Sequence, residues 1–345
     1  MRLAVTGGAG FLGLHCCNEL ADKFDEVRVI DVAPLPADEY PGNVSYVQGD
    51  VRDVGAMKDA LAGCDMLVHA AAALPLWKAK DIVSTNVGGT RSVMQAALDN
   101  DIGRIVEISS TAVYGVPIKH PIIEDDPLVG VGPYGESKIE AEEVCDEYRE
   151  KGLCICTIRP KTFIGTARLG VFQILYDWVE SGKKIPIIGN GSNRYQLLEV
   201  EDLVRAIYLG LTAPADKAND VFNVGAGEFG TVREDVGAMC AYAGTGARVI
   251  ATPSWLVKPA LELAWLLRVS PLYKWVYGTA DRDSFVSIEK ARQVLGWEPR
   301  YSNAQALIRS YQWYLEHKHE IAGAEGVTHR VAWKQGILGL VKRFM

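Results

Sequence analysis

The chain has 345 residues, 48% of them apolar and 23% charged, with a formal net charge of −7. That composition supports a large core in one elaborated domain or two, and the acidic balance argues against a general nucleic-acid binder. Seven cysteines without a CxxC pair and six dispersed histidines argue against a disulfide scaffold and a zinc site, so no metal is expected.

Residues 2–5 read as a short apolar strand. Thr6-Gly7-Gly8-Ala9-Gly10-Phe11-Leu12-Gly13 follows, then a helical segment over 14–20, a second apolar run over 27–30 and a terminal acid, Asp31. Strand, glycine turn, helix, strand and acid in this order form the signature of a dinucleotide fold. The glycines let backbone approach a pyrophosphate, and the helix N-terminus offers N–H donors to its charge. Asp31 is placed to accept hydrogen bonds from an adenosine ribose, which favours NAD over its phosphorylated form. A glycine-rich turn by itself also serves any sharp bend; here the flanking strand, helix and acid give it weight.

Strand and helix patterns alternate through the first 160 residues. Residues 44–47 precede Gly49-Asp50-Val51-Arg52-Asp53, and Val54–Leu61 has helical spacing. Met66–His69 reads as a buried strand, followed by four alanines over 70–73 that suit either close approach of a cofactor or tight helix packing. A helix is predicted over 82–98, with Asn86 inside it against propensity; its amide either ties neighbouring loops or makes a surface hydrogen bond. The strand 105–108 delivers Ser109, Ser110 and Thr111 to the end where open parallel sheets bind ligands. Residues 117–133, rich in Pro, Gly and acids, form a surface excursion, and a helix from Tyr134 runs through Glu150. The strand 153–158 ends at Arg159 and Pro160. Repeated strand–helix–strand units imply a parallel sheet covered on both faces.

Beyond residue 162 the alternation weakens. Helices are predicted over 172–181, 200–211, 231–242, 287–295 and 303–316, and strands over Lys184–Ile188 and 220–224. Residues 255–277, beginning with Trp255, are dense in aromatic and aliphatic side chains and suit an apolar substrate slot, a dimer face or the core of a lobe. The tail 331–345 mixes Lys334, Lys342 and Arg343 with apolar residues and no acid. It suits an anionic membrane surface, this protein's own surface or a twin chain. The chain begins directly on a core strand, which leaves no room for a cleaved signal peptide, and no apolar run reaches spanning length. Cytoplasmic residence is the expectation, with peripheral membrane contact through the tail left open.

Tyr134 and Lys138 stand four apart on one helix face. An ammonium beside a phenol favours the phenolate, so Tyr134 can act as acid or base on a substrate hydroxyl or carbonyl while Ser110 orients the same oxygen. Hydride passes between substrate and nicotinamide. The pair Tyr-x-x-x-Lys is common on solvated helix faces; its weight comes from following the Ser110 strand in a chain fitted for a dinucleotide. Glu136, Glu140 and Glu142 read as solvated or paired surface acids.

The glycine segment, Asp50-Val51-Arg52-Asp53, His69-Ala70-Ala71-Ala72, Asn86-Val87-Gly88-Gly89-Thr90, Ser109-Ser110-Thr111-Ala112-Val113-Tyr114-Gly115 and Tyr134-Gly135-Glu136-Ser137-Lys138 together resemble the extended short-chain dehydrogenase/reductase family, in its NAD-dependent epimerase/dehydratase branch. The resemblance is strong through Pro160 and looser to about residue 310. It implies a Rossmann-type doubly wound parallel sheet over 1–162, a smaller, mixed C-terminal substrate-binding lobe mainly over 163–320 with segments returning to the first domain, and a homodimer; the residues past these, 321–345, read as an amphipathic tail. It further implies catalytic roles for Ser110, Tyr134 and Lys138, and NAD contacts at Gly7, Gly10, Phe11, Leu12, Gly13, Asp31, Asp50, Val51, Ala70, Ala71, Asn86, Tyr134, Lys138 and Pro160.

Substrate choice divides the branch. Nucleotide-sugar dehydratases carry Asp–Glu after the catalytic hydroxyl, whereas Thr111 and Ala112 stand here, which argues against dehydration. Residues 189–194 resemble a sugar-nucleotide segment whose arginine meets phosphate, although a salt bridge accounts for Arg194 equally well. The aromatic block from Trp255 resembles the 3β-hydroxysteroid dehydrogenase side of the family. On that ground the expectation is an oxidoreductase acting on a secondary alcohol or ketone of a steroid- or lipid-like molecule, with Thr111, Arg194 and Trp255 as substrate contacts. The alternatives are a nucleotide-sugar 4-epimerase resembling UDP-glucose 4-epimerase and, as a minority reading, a non-enzymatic NAD-binding regulator.

Overall fold

The computed structural model describes residues 1–266, 274–321, 330 and 342. The chain divides into two compact units: Met1–Lys161 with Val200–Gly225 and Val286–Pro299, and Thr162–Glu199 with Ala226–Phe285 and Arg300–Met345. The described strands are β1 (Arg2–Thr6), β2 (Glu26–Asp31), β3 (Val44–Gln48), β4 (Met66–His69), β5 (Arg104–Ile108), β6 (Ile155–Pro160), β7 (Phe163–Ile164), β8 (Lys184–Ile188), β9 (Leu198–Glu199), β10 (Val221–Val224) and β11 (Arg248–Thr252).

In the first unit, seven strands form one parallel sheet in the order β10-β6-β5-β4-β1-β2-β3. This is the Rossmann-type sheet expected from the alternation. Burial explains its strand composition: every residue of β6 is buried, as is β1 from Leu3 onward. Strands covered on both faces lose period-two alternation and become continuous apolar runs. Each fully buried Val, Leu or Ile contributes about 1.5–3 kcal/mol. The strand order reverses at β1, flanked by β2 and β4, so the crevice at the carboxyl ends of β1 and β4 is where ligands bind in sheets of this kind. The segment 286–299 returns to this unit, with Trp297 fully buried and its Nε1 donating to the Asp202 carbonyl at 2.9 Å.

The predicted helix over 82–98 is three pieces: Ala79–Val83, a π-helical turn Ser84–Gly89, and Thr90–Asp99. Asn86 sits in the wide turn, and such turns re-aim a side chain that a regular helix would hold along its surface.

The second unit has two short parallel pairs, β8 with β11 and β7 with β9. Its core gathers Tyr176 against Tyr311 and Tyr314, with ring centroids 6.1 and 5.8 Å apart. None of the five residues of β11 is fully buried, so no hydrophobic period marks it in the sequence. Among the described residues no helix is long and apolar enough to cross a membrane. The tail over 331–345 lies outside the described residues, Lys342 apart.

Candidate active site

The glycine segment joins β1 to the helix Phe11–Leu20. Gly7 has φ +71°, and a Cβ there would lie 2.7 Å from the Ala71 backbone. Gly13 is equally constrained, because its Cβ would meet the Gly7 carbonyl and the Gly8 Cα at 2.4 Å. Backbone therefore packs directly on backbone at the ends of β1 and β4. The helix is entered through Gly10 with no side-chain cap, and the positive end of its dipole faces the glycine turn, which suits an anionic ligand. Asp31, at the end of β2, accepts from the Ala9 N–H at 3.0 Å and the Ala33 N–H at 2.9 Å. The carboxylate is thereby fixed beside the turn, where it repels an added phosphate.

The other expected cofactor contacts occupy the same unit. Val51 is buried, and Asp50 binds Arg52 through both carboxylate oxygens, which holds its carboxyl below the usual range. Asn86 is buried: its Oδ1 accepts from Ala73 N at 2.8 Å and its Nδ2 donates to Ser137 Oγ at 3.0 Å. It thus ties the loop after β4 to the helix Gly132–Glu150, the one that carries Tyr134 and Lys138. His69 lies between the hydroxyls of Thr6 and Thr90, at 2.7 and 3.1 Å, and burial pushes its pKa down to about 3, so it is neutral.

Ser110 caps a 3₁₀ turn, Thr111–Tyr114, its Oγ accepting from Ala112 N at 3.1 Å. The Thr111 hydroxyl donates to the Pro160 carbonyl at 3.3 Å, which brings the ends of β5 and β6 together. Tyr134 lies half-buried in the first turn of its helix. Lys138 is buried one turn on, donating from Nζ to the Ile108 carbonyl at 2.6 Å and to Glu107 Oε1 at 3.4 Å. Burial works against the Lys138 charge, but Glu107 and the Tyr134 oxygen hold its pKa above the ordinary lysine value.

Two acids that sequence reasoning missed lie beneath these groups. Glu142 is a buried residue and not a surface acid: it accepts from Ser109 Oγ and pairs with Arg159, whose Nε lies 2.9 Å from Oε1 and whose second terminal nitrogen lies 2.6 Å from Oε2. Arg159 also donates to the Tyr114 hydroxyl at 2.7 Å, which in turn donates to Asn223 Oδ1 at 2.9 Å. Glu136 and Glu140 are exposed as expected. Glu107, on β5, is fully buried, and burial pushes its carboxyl up to about 7.

In the second unit, Arg194 stacks between Phe229 and Phe285, its guanidinium carbon 4.5 and 4.9 Å from their ring centroids. Its backbone is pinned by Asp283 Oδ1 and by Ser284 N, each at 2.8 Å. Arg194 is exposed, and among the described residues its guanidinium makes a single, long hydrogen bond, to the Phe229 carbonyl at 3.5 Å. Stacking between rings holds the planar group while its N–H edge stays open to an anion. Trp255 begins the helix Ser254–Leu266 and is 78% exposed, as are Leu256 at 56% and Leu263 at 59%.

A family model, the NAD dependent epimerase/dehydratase family, matches residues 3–225. The chain belongs to this family. It is an NAD-dependent enzyme of the extended short-chain dehydrogenase/reductase group, and the glycine cradle, the uncapped helix and fixed Asp31 fit that cofactor. An uncharacterized protein of Sinorhizobium fredii, y4nG, is 36% identical over 342 residues, 98% of this chain and 84% of that protein. A UDP-glucose 4-epimerase of Halalkalibacterium halodurans is 26% identical over 92% of this chain and 97% of its own length. Among solved structures, the dTDP-glucose 4,6-dehydratase DesIV of Streptomyces venezuelae, a double mutant with NAD bound, matches with a TM-score of 0.75 at 28% identity, covering 93% of this chain and 98% of that one. 3β-Hydroxysteroid dehydrogenases of the family match too, at 28% and 26% identity.

These findings correct the expected substrate. Proteins of this family similar along the whole chain, in sequence and in structure, are named for nucleotide sugars. The steroid or lipid reading rests on the block from Trp255, in which Trp255, Leu256 and Leu263 are exposed and residues 267–273 lie outside the described residues. Apolar density in a sequence is not enclosure.

Gly7→Ala puts a Cβ at φ +71° against the Ala71 backbone. It is expected to cost ~1–3 kcal/mol in strain and to weaken NAD binding in a fluorescence titration. Unchanged melting and NAD affinity would contradict the close backbone packing described here.

Proposed function

We propose that this enzyme inverts a ring carbon bearing a hydroxyl in a nucleoside-diphosphate sugar, acting as a UDP-sugar 4-epimerase. The carrying observation is the end of β5. The proton-handling groups Ser110, Tyr134 and Lys138 are present, while Thr111 and Ala112 stand where dehydration needs an acid and a base, and the Thr111 hydroxyl is spent on the Pro160 carbonyl.

NAD, when bound, supplies reversible acceptance of a hydride. The groups proposed to hold it are Gly7, Gly10, Phe11, Leu12 and Gly13 for the pyrophosphate, Asp31 for the ribose, and Asp50, Val51, Ala70, Ala71, Asn86 and Pro160 around the remainder. Tyr134 takes the proton of the substrate hydroxyl as the carbon is oxidised and returns it after the keto sugar has turned over. Ser110 orients that oxygen. Lys138 supplies a positive charge that favours the phenolate. Arg194 is proposed to meet a substrate phosphate with its open edge. The relatives' names support this substrate class; the missing acid–base pair supports epimerisation within it.

The test is a panel of UDP-glucose, UDP-galactose, UDP-N-acetylglucosamine and dTDP-glucose, with products separated by chromatography and NADH followed by absorbance. Formation of the 4-epimer without net NADH is expected. A 4-keto-6-deoxy product, or stoichiometric NADH, would overturn the reading. The homodimer is proposed with it and is read by sedimentation of the purified chain; peripheral contact of the tail with an anionic membrane is read by vesicle flotation.

A further inference from the structure

Lys138 is 4% exposed and its Nζ has two recorded acceptors, the Ile108 carbonyl and Glu107 Oε1. Glu107 is 0% exposed, and its second oxygen, Oε2, has no hydrogen-bond partner among the described residues. A carboxyl in this position is expensive unless it acts on a charge. The groups around it are few. On β4, the register partner His69 is neutral. On β6, Thr157 is the register partner. On the helix stand Lys138, Glu142, Cys145 and Arg149. Burial drives the Cys145 thiol well up, so it carries no charge; Glu142 is neutralised by Arg159, and Arg149 is held by the Ile155 carbonyl and Thr157 Oγ1. Among the described residues this leaves Glu107 as the one carboxylate in direct contact with Lys138.

We infer that Glu107 is a positioning residue, the buried counter-ion that holds the Lys138 ammonium in place and charged for its work on Tyr134. The inference rests on the proton-transfer role proposed above for Tyr134 and Lys138. Its sign is definite. Glu107 raises the Lys138 pKa and is itself ionised above about 7, so removing its charge makes Lys138 discharge at lower pH. A coupled pair of this kind is read as a shift of a limb in the rate profile.

Two measurements separate this inference from the functional reading. In the first, Glu107→Gln keeps an acceptor for Nζ and removes the charge. The alkaline limb of the kcat–pH profile for UDP-sugar epimerisation is expected to fall by about one unit, with KM unchanged. In the second, melting temperatures at pH 8.5 are compared for Glu107→Gln, Lys138→Met and the double variant in the NAD-free protein. A counter-ion requires that the double variant lose clearly less than the two single losses added together. It also requires the double variant to fold even where Glu107→Gln alone does not. A superimposable pH profile overturns the positioning role, and additive melting losses overturn the counter-ion. Coupling in the melts of a protein that converts no nucleotide sugar would sink the proposed function and leave the ion pair standing.

Discussion

Replacing Tyr134 by Phe is expected to lower kcat for the proposed epimerisation by ~10²–10⁴-fold, the range found when a positioned general acid–base is lost. Only the phenolic oxygen goes; the ring keeps its place in the first turn of the helix Gly132–Glu150, which is started by Pro133 and held through Ser137 to Asn86. Melting temperature is therefore expected to stay at the parental value. The NAD-binding regulator reading predicts instead that the substitution leaves every tested reaction intact. If the variant retained full turnover on every nucleotide sugar tested, Tyr134 would be a surface-proximal tyrosine and nothing more.

A change of similar size, in stability, is expected two turns along the same helix. Glu142→Ala leaves Arg159, which is 4% exposed, without its bidentate carboxylate, and leaves the Ser109 hydroxyl without its acceptor. Removing one partner of a buried pair costs ~3–5 kcal/mol because the other charge stays buried and unpaired. Removing both with apolar residues of similar volume, Glu142→Leu with Arg159→Met, is expected to recover most of that loss. Urea denaturation of the parent protein and the two variants checks this. A single-variant loss below about 1 kcal/mol, the level of an exposed pair, would show that Glu142 is solvated, as its place in an acidic stretch of sequence suggests.

Glu142 marks a limit to what a sequence discloses. The first unit is legible because its central strands are apolar on both faces and its turn needs glycine for reasons visible in order and spacing. Tyr134 and Lys138 are legible only through their position after the Ser110 strand. Glu107 and Glu142 are not, since an acid inside Ile-Val-Glu-Ile or among Glu136, Glu140 and Glu143 carries no mark of burial; only the partners, Lys138 and Arg159, distant in sequence, make it tenable. Asn86 stands out against helix propensity, but the π-turn that releases its side chain has no pattern of its own. The two-residue strands β7 and β9 and the half-exposed β11 leave no period to detect. The block at Trp255 fails the other way: a dense apolar run says what the residues are, not whether anything covers them.

The central claim is that Tyr134 takes up and then returns the hydroxyl proton while the same carbon-bound hydrogen leaves the sugar and comes back. Turnover of UDP-glucose in deuterated water, followed by proton NMR of the product sugar, reads this directly. The account predicts UDP-galactose with no deuterium on any ring carbon. Deuterium on carbon, or no conversion of UDP-glucose or any other nucleotide sugar by the folded, NAD-loaded protein, would contradict it.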